Sequence, residues 1–267
     1  MSKVAIFITS SDGYQECWKP IVYSFEKYWP DCEWQRFIVT NYKEEELPNT
    51  TFLKVGDDNR AWCNLVRMGL EKIDVDYIIY FQEDYWINKK VDNDAIKKHI
   101  QYCDDQKLDY LKIDRDMPRD EFRIGNSDYC ENPADIRYSI NTAIAIWKKD
   151  TMIKLMMKDW DGWTYERSII PYIKKNNIQL RSQRLLSTLV PTKGICTIPF
   201  NAIVRGVWNV SAVDFLKEHN MEEIIKRRKV IGPLNNWLYQ NTPSPQSIWR
   251  YPFWGVLKVL KKYRLNW

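Results

Sequence analysis

The ten residues Tyr77-Ile-Ile-Tyr-Phe-Gln-Glu-Asp-Tyr-Trp86 constrain the fold of this chain more than any other stretch. An unbroken row of β-branched and aromatic side chains reads as a strand buried on both faces, the kind found inside a parallel sheet. The row ends at two acids, Glu83 and Asp84, set between Gln82 and the aromatic pair Tyr85 and Trp86. Carboxylates at the end of a buried strand are costly unless a positive group answers them. Open α/β sheets take their ligands in the crevice at the carboxyl ends of their strands. Glu83 and Asp84 are therefore expected to hold a divalent metal and, through it, the phosphates of a nucleotide.

The residues before this strand repeat a strand–loop–helix pattern. Val4–Ile8 predicts a first strand, and the small polar loop Thr9-Ser10-Ser11-Asp12-Gly13 follows it. Hydroxyls and N–H groups there would meet a base or ribose, or else Ser11 or Asp12 caps the helix predicted over Tyr14–Trp29. Arg36–Thr40 and Phe52–Val55 predict two more strands. Gly56–Arg60 then leads into a helix over Ala61–Lys72, whose apolar face carries Trp62, Leu65, Val66, Gly69 and Leu70. Asp58 and Asn59 are good helix caps, yet they stand on the same rim as the Thr9 loop and the two acids. That convergence makes the rim the candidate nucleotide site.

Further along, Asp92–Gln106 predicts a helix on which His99 is expected to be packed or solvated rather than a ligand. Tyr110–Ile113 and Ser139–Trp147 predict strands, with a long polar stretch over Asp114–Ile136 between them. A helix over Thr151–Lys158 follows, then an aromatic and acidic segment, Asp159–Glu166, and a helix over Glu166–Asn176. Leu180–Val190 and Ile195–Ile198 are expected to pair through a turn at Pro191–Gly194, and Val213–Arg228 to form a charged helix.

Thr242-Pro-Ser-Pro245 breaks the chain, and the remaining residues join an aromatic start to a basic amphipathic helix. Such a segment lies in the plane of an anionic membrane surface. Its alternative is to dock on the body of the protein or on a second protomer, as in a homodimer. No apolar stretch reaches the roughly 18 residues of a spanning helix, and no signal peptide is read at Met1. The net charge of +5 is too weak to argue for nucleic acid. Six scattered cysteines without a Cys-x-x-Cys pair point to free thiols and a cytoplasmic setting. With only two histidines, any metal site must use oxygen ligands. The 13 Trp and 16 Tyr exceed what a core alone asks for, and sugar clefts and membrane interfaces both favour such rings.

Several stretches together carry a family likeness. They are Ile6-Phe-Ile-Thr-Ser-Ser11, the Asp58–Leu70 loop and helix, Tyr80-Phe-Gln-Glu-Asp-Tyr-Trp86, Asn141-Thr-Ala-Ile-Ala-Ile-Trp-Lys-Lys-Asp150 and Trp163-Thr-Tyr-Glu166. The sequence resembles nucleotide-sugar glycosyltransferases of the GT-A fold, of the kind encoded in bacterial capsule and lipopolysaccharide clusters. The resemblance implies a Rossmann-like α/β fold with a mostly parallel central sheet flanked by helices. A catalytic domain would span residues 1–210, donor half about 1–90 and acceptor half about 91–210, with a helical extension over 211–267 and its membrane-associating tail at 243–267. It also implies Mn²⁺ or Mg²⁺ on an Asp-x-Asp motif. Here Gln82-Glu83-Asp84 replaces that motif, so Asp84 matches its last aspartate and Glu83 is the nearest substitute for the other.

The implied reaction moves one sugar from a nucleoside-diphosphate donor, UDP-linked by expectation, to a lipid-linked glycan or polysaccharide at the inner face of the cell membrane. The resemblance puts Thr9, Ser10, Ser11, Asp58, Asn59, Trp62, Glu83 and Asp84 on the donor. It makes Glu166 the general base of an inverting transfer, with Asp161 as second choice. Trp160, Asp161, Trp163 and Tyr165 would form the acceptor wall, while Arg205 and Trp208 would close over the diphosphate. One competing activity is nucleotidyl transfer, which usually needs a glycine- and basic-rich loop where Thr9–Gly13 has no basic residue. The other is a non-catalytic carbohydrate-binding or scaffold protein of the same fold.

Overall fold

A computed structural model describes residues 2–56, 61–114, 123–132, 138–156, 159–199 and 201–232. The chain divides into two compact units, 1–199 and 200–267. The strands of the first unit are β1 (Val4–Thr9), β2 (Arg36–Thr40), β3 (Thr50–Lys54), β4 (Tyr77–Gln82), β5 (Tyr110–Lys112), β6 (Tyr129–Glu131), β7 (Ala145–Lys148) and β8 (Ser182–Leu185). They make one sheet in the order β3-β2-β1-β4-β7-β5-β8-β6. β1 to β4 pair in parallel, and β5 pairs in parallel with β8. β7 runs antiparallel between β4 and β5, and β6 runs antiparallel on β8. The sheet is thus mixed, with β6 and β7 opposed to the other strands.

The centre of the sheet follows from its side chains. Ile6, Phe7, Ile8, Ile78, Ile79, Tyr80 and Phe81 are fully buried, each contributing about 1.5–3 kcal/mol over an exposed position. Helices α1 (Trp18–Tyr28), α2 (Trp62–Leu70), α3 (Asn93–Gln106), α4 (Lys149–Leu155) and α5 (Gly162–Lys175) flank it. On one face, Val66 and Leu70 of α2, Leu155 of α4 and Tyr165, Ile169 and Ile173 of α5 join Phe7, Val39, Ile78, Tyr80 and Trp147 in a single core. On the other face, Phe25 of α1 meets Phe81 edge-on at 5.0 Å. At Gly69 a Cβ would lie 2.6 Å from Val39 Cγ2 and 3.1 Å from Phe7 Cζ, so α2 sits as close to β2 as it does because this position is glycine.

Several elements differ from the pattern-based expectation. The helix expected from Tyr14 opens instead as a 3-10 turn over Asp12–Cys17, and Ser11 makes no side-chain cap. The Asp12 carboxylate accepts from the N–H groups of Asn41, Tyr42 and Lys43, which ties this loop to the one after β2. The strand expected over Ser139–Trp147 is regular only as β7. Just before it, Asn141 Oδ1 accepts from Ala143 N at 3.2 Å and folds the chain locally.

The hairpin expected over residues 180–198 does not form. β8 joins β5 and β6 in the main sheet, Val190–Lys193 is a one-turn helix (α6), and Ile195 and Thr197 make single bridges to Asp114 and Ile87. His99 bonds Tyr129 Oη and the Lys193 carbonyl, both at 2.8 Å, as a packed core histidine. All six cysteines are free.

The second unit begins with the hairpin β9 (Ile203–Val204) and β10 (Val207–Trp208). Both of its turn residues, Arg205 and Gly206, have positive φ, as a two-residue type I′ turn requires. α7 (Val210–Glu218) and α8 (Glu222–Ile225) replace the single helix expected over Val213–Arg228. Trp208 is fully buried and donates its indole N–H to the Ile225 carbonyl at 3.2 Å. Its ring is core to this unit rather than exposed to a ligand. Arg205 is exposed at the hairpin tip. The basic aromatic tail at 243–267 lies outside the described residues. Among the described residues no helix is long and apolar enough to cross a membrane.

Candidate active site

Because β1, β2, β4 and β5 run the same way, their carboxyl ends open on one edge. β7 runs against them, so the residues that precede it reach the same edge. Thr9 pairs with Gln82 across β1 and β4, and Glu83 N donates to the Thr9 carbonyl at 3.1 Å. Directly after β4 the chain makes a tight turn, closed by Tyr85 N on the Gln82 carbonyl at 3.1 Å. Glu83 and Asp84 are the two central residues of that turn. Asp84 is only 6% exposed, whereas Glu83 is half-buried. Trp86 is fully buried and donates to the Glu83 carbonyl at 3.0 Å, which fixes the turn from below.

Glu166, in the second turn of α5, is bonded to Thr142, on the segment that leads into β7 at this same edge. Burial pushes the Tyr85 hydroxyl well above the ordinary tyrosine value, and the nearby Asp84, Glu166 and Asp114 carboxylates push it further. Burial likewise raises Tyr80, with hydrogen bonds from Thr9 and Gln82 opposing and Glu83 and Glu166 adding. Two tyrosines at the end of β4 therefore feel the acids of the β4 turn and of α5 together, and both stay protonated.

The Glu166 carboxylate is held at one oxygen. Thr142 N and Thr142 Oγ1 donate to Glu166 Oε1 at 3.1 and 2.5 Å. Glu166 Oε2 accepts no hydrogen bond among the described residues. Asp114, one residue beyond Ile113 at the end of β5, accepts from Ile144 N at 3.1 Å and lies 3.8 Å from Lys112 Nζ. Lys112 is itself buried, and Nζ also reaches Asn141 Oδ1 at 3.4 Å. Lys112, Asp114, Asn141 and Thr142 surround the candidate site at this edge, and pattern reading did not single them out. An acid just past a strand end and a lysine inside an apolar strand were the available signals.

Other expected residues have different surroundings. Thr9 and Ser10 are buried and internally bonded: Thr9 Oγ1 with Tyr80 Oη at 3.1 Å, and Ser10 Oγ with Trp18 Nε1 at 2.7 Å. Those hydroxyls knit β1 to β4 and α1, so in this structure both side chains are engaged within the fold. Ser11 is half-buried, and Asp58 and Asn59 lie outside the described residues. Trp62 opens α2 with its ring 5.1 Å from that of Tyr165, and Cys63 N donates to the Trp160 carbonyl at 3.0 Å.

The expected acceptor wall is split. Tyr165 is 1% exposed and belongs to the core, so it presents no face to a sugar. Trp160 is half-buried with its ring against Tyr172. Trp163 is 73% exposed and stands one helical turn before Glu166. Asp161 caps α5 through Thr164 N at 2.6 Å, and that bond holds its carboxyl below the usual carboxylate range. A capping role leaves it poorly suited to proton abstraction.

The donor set on the β4 turn fits a hard cation that takes one or two carboxylates and completes its shell from substrate phosphates and water. Among the described residues, no three Asp, Glu, His or Cys side chains gather to hold a metal by themselves.

No family model matches the sequence, and no curated protein matches it. Among solved structures the chain is similar to S. aureus TarS 1–349, at 11% identity over 94% of this chain and 76% of that one, TM-score 0.49. The same fragment in complex with UDP-GlcNAc aligns at 12% identity over 88% and 69%, TM-score 0.49. In a longer TarS chain the match spans 36% of that chain and 72% of this one, at 13% identity and TM-score 0.46. A cytidylyltransferase from Leptospira borgpetersenii aligns at 13% identity over 87% and 100%, TM-score 0.44. Identities and TM-scores this low leave the function to be argued from the side chains of this chain.

Proposed function

We propose that this chain is an inverting glycosyltransferase that moves one sugar from a nucleoside-diphosphate donor, UDP-linked in our reading, to a hydroxyl of a lipid-linked or polysaccharide acceptor. One observation carries the reading: Thr142, on the segment that leads into β7 at the carboxyl edge of β4, holds Glu166 of α5 through both its N–H and its hydroxyl, which brings that acid to the edge where Glu83 and Asp84 stand. A pair of carboxylates for the diphosphate and a third, half-held carboxylate beside it are what such a transfer needs. Asp84, with Glu83 as auxiliary, would hold Mn²⁺ or Mg²⁺. When bound, that ion stabilises the negative charge of the departing diphosphate.

Glu166 Oε2 takes the proton of the acceptor hydroxyl as its oxygen bonds to the anomeric carbon and the bond to diphosphate breaks on the opposite face. Trp163 offers an exposed ring next to Glu166, on which the apolar face of an acceptor sugar stacks. Residues 243–267 would keep the enzyme on the anionic inner face of the membrane, where a lipid-linked acceptor is found.

The test is nucleoside diphosphate release from a panel of UDP-, GDP- and dTDP-sugars, with Mn²⁺ or Mg²⁺ and with excess chelator. Release from at least one UDP-sugar, lost in chelator, is expected. Silence across the whole panel refutes the reading, and full release in chelator removes the metal from it.

A further inference from the structure

We infer that Thr142 is the positioning residue for the Glu166 carboxylate, and that it dictates which of the two oxygens faces the acceptor. The inference rests on the transferase reading above. A free carboxylate on a helix rotates about its last torsion and presents either oxygen. Here both donors of one residue, the backbone N–H and the hydroxyl of Thr142, converge on Oε1. Two donors on one oxygen hold it in place and leave Oε2 as the one that accepts a proton.

Thr142 is itself held firmly. It is 6% exposed. Asn141 Oδ1 accepts from Ala143 N at 3.2 Å, and Tyr110 Oη and Lys112 Nζ reach the same oxygen at 3.4 Å each. On the other side, Ile144 N is bonded to Asp114 Oδ2 and the Ile144 carbonyl to Ile113 N. The segment 141–144 is thereby pinned to the end of β5, and the Thr142 donors point from a rigid support. Glu166 is fixed from the helix side, since its neighbour Tyr165 is locked in the core against Trp62. Carboxylate and donors thus meet from two independently anchored elements, which is how precise geometry at a reacting group is obtained.

The experiment compares wild type with Thr142→Val, Thr142→Ser and Thr142→Ala, reading nucleoside diphosphate release from UDP-sugars with Mn²⁺. Circular dichroism confirms folding, and Thr142→Ala replaces Thr142→Val if the latter does not fold. Removing the hydroxyl donor should lower kcat by about tenfold to a hundredfold. Donor KM should stay at its wild-type value, and Thr142→Ser should restore most of the rate. A wild-type kcat without the hydroxyl overturns the inference. So does a Ser variant as slow as Val, or a loss confined to donor KM. Absence of release from the wild-type protein refutes the transferase reading itself, and this inference with it.

Discussion

Glu83 and Asp84 are adjacent in sequence and alike in charge, yet one tight turn gives them different surroundings. Asp84 is nearly closed off while Glu83 stays half-exposed, so Asp84 is the stronger candidate to anchor a cation. Asp84→Asn keeps the shape and removes the charge, and it should abolish turnover with an unchanged circular dichroism spectrum. His99 gives a prediction of another kind. Burial lowers its folded pKa below the ordinary 6.5, so the unfolded chain takes up a proton there before the native one does. Stability should fall as pH drops below about 6.5, until native His99 also protonates. Urea unfolding at about pH 7.5 and about pH 5.5 checks this, and His99→Gln should show a smaller difference between the two. At this scale the sequence makes the β4 acids visible, because an apolar strand that ends in charge is unusual. It does not reveal that Thr9 and Ser10 are sealed inside. A hydroxyl after a strand looks the same whether it faces a ligand or its own fold, and burial is a tertiary property.

Among the elements, α2 shows packing overriding propensity. Gly69→Ala gains about 1 kcal/mol of helix propensity. The new Cβ would meet Val39 and Phe7 well inside contact distance, and overpacking of this sort costs about 1–3 kcal/mol. A net loss is therefore expected, seen as a lower denaturation midpoint; a more stable variant would mean that α2 has room to move. β1, β2 and β4 were legible as strands because their apolar runs are long and dense. The direction of β7 was not, since the burial pattern of a strand says nothing of which way it runs. β8 was misread for a related reason. Ser182-Gln-Arg-Leu185 is short and polar, and its partners β5 and β6 are distant in sequence. Glu166 was expected at the start of its helix, whereas α5 starts four residues earlier, at Gly162. That extra turn sets Trp163 and Glu166 on one helical face.

At the scale of the molecule, the proposed transfer joins a nucleotide-sugar donor at the sheet edge to an acceptor at a membrane. Removal of residues 243–267 should release the protein from anionic vesicles while leaving activity on soluble donors intact; unchanged vesicle binding would contradict the anchor. The central claim is that Asp84 and Glu166 serve two halves of one reaction at one edge of the sheet. It is tested most directly by measuring UDP-sugar affinity by calorimetry, alongside turnover, in Asp84→Asn and Glu166→Gln. The account predicts that Asp84→Asn loses both donor affinity and turnover. Glu166→Gln should keep the wild-type affinity and lose about a hundredfold or more in kcat. Wild-type turnover in Glu166→Gln, or wild-type donor affinity and turnover in Asp84→Asn, would contradict it.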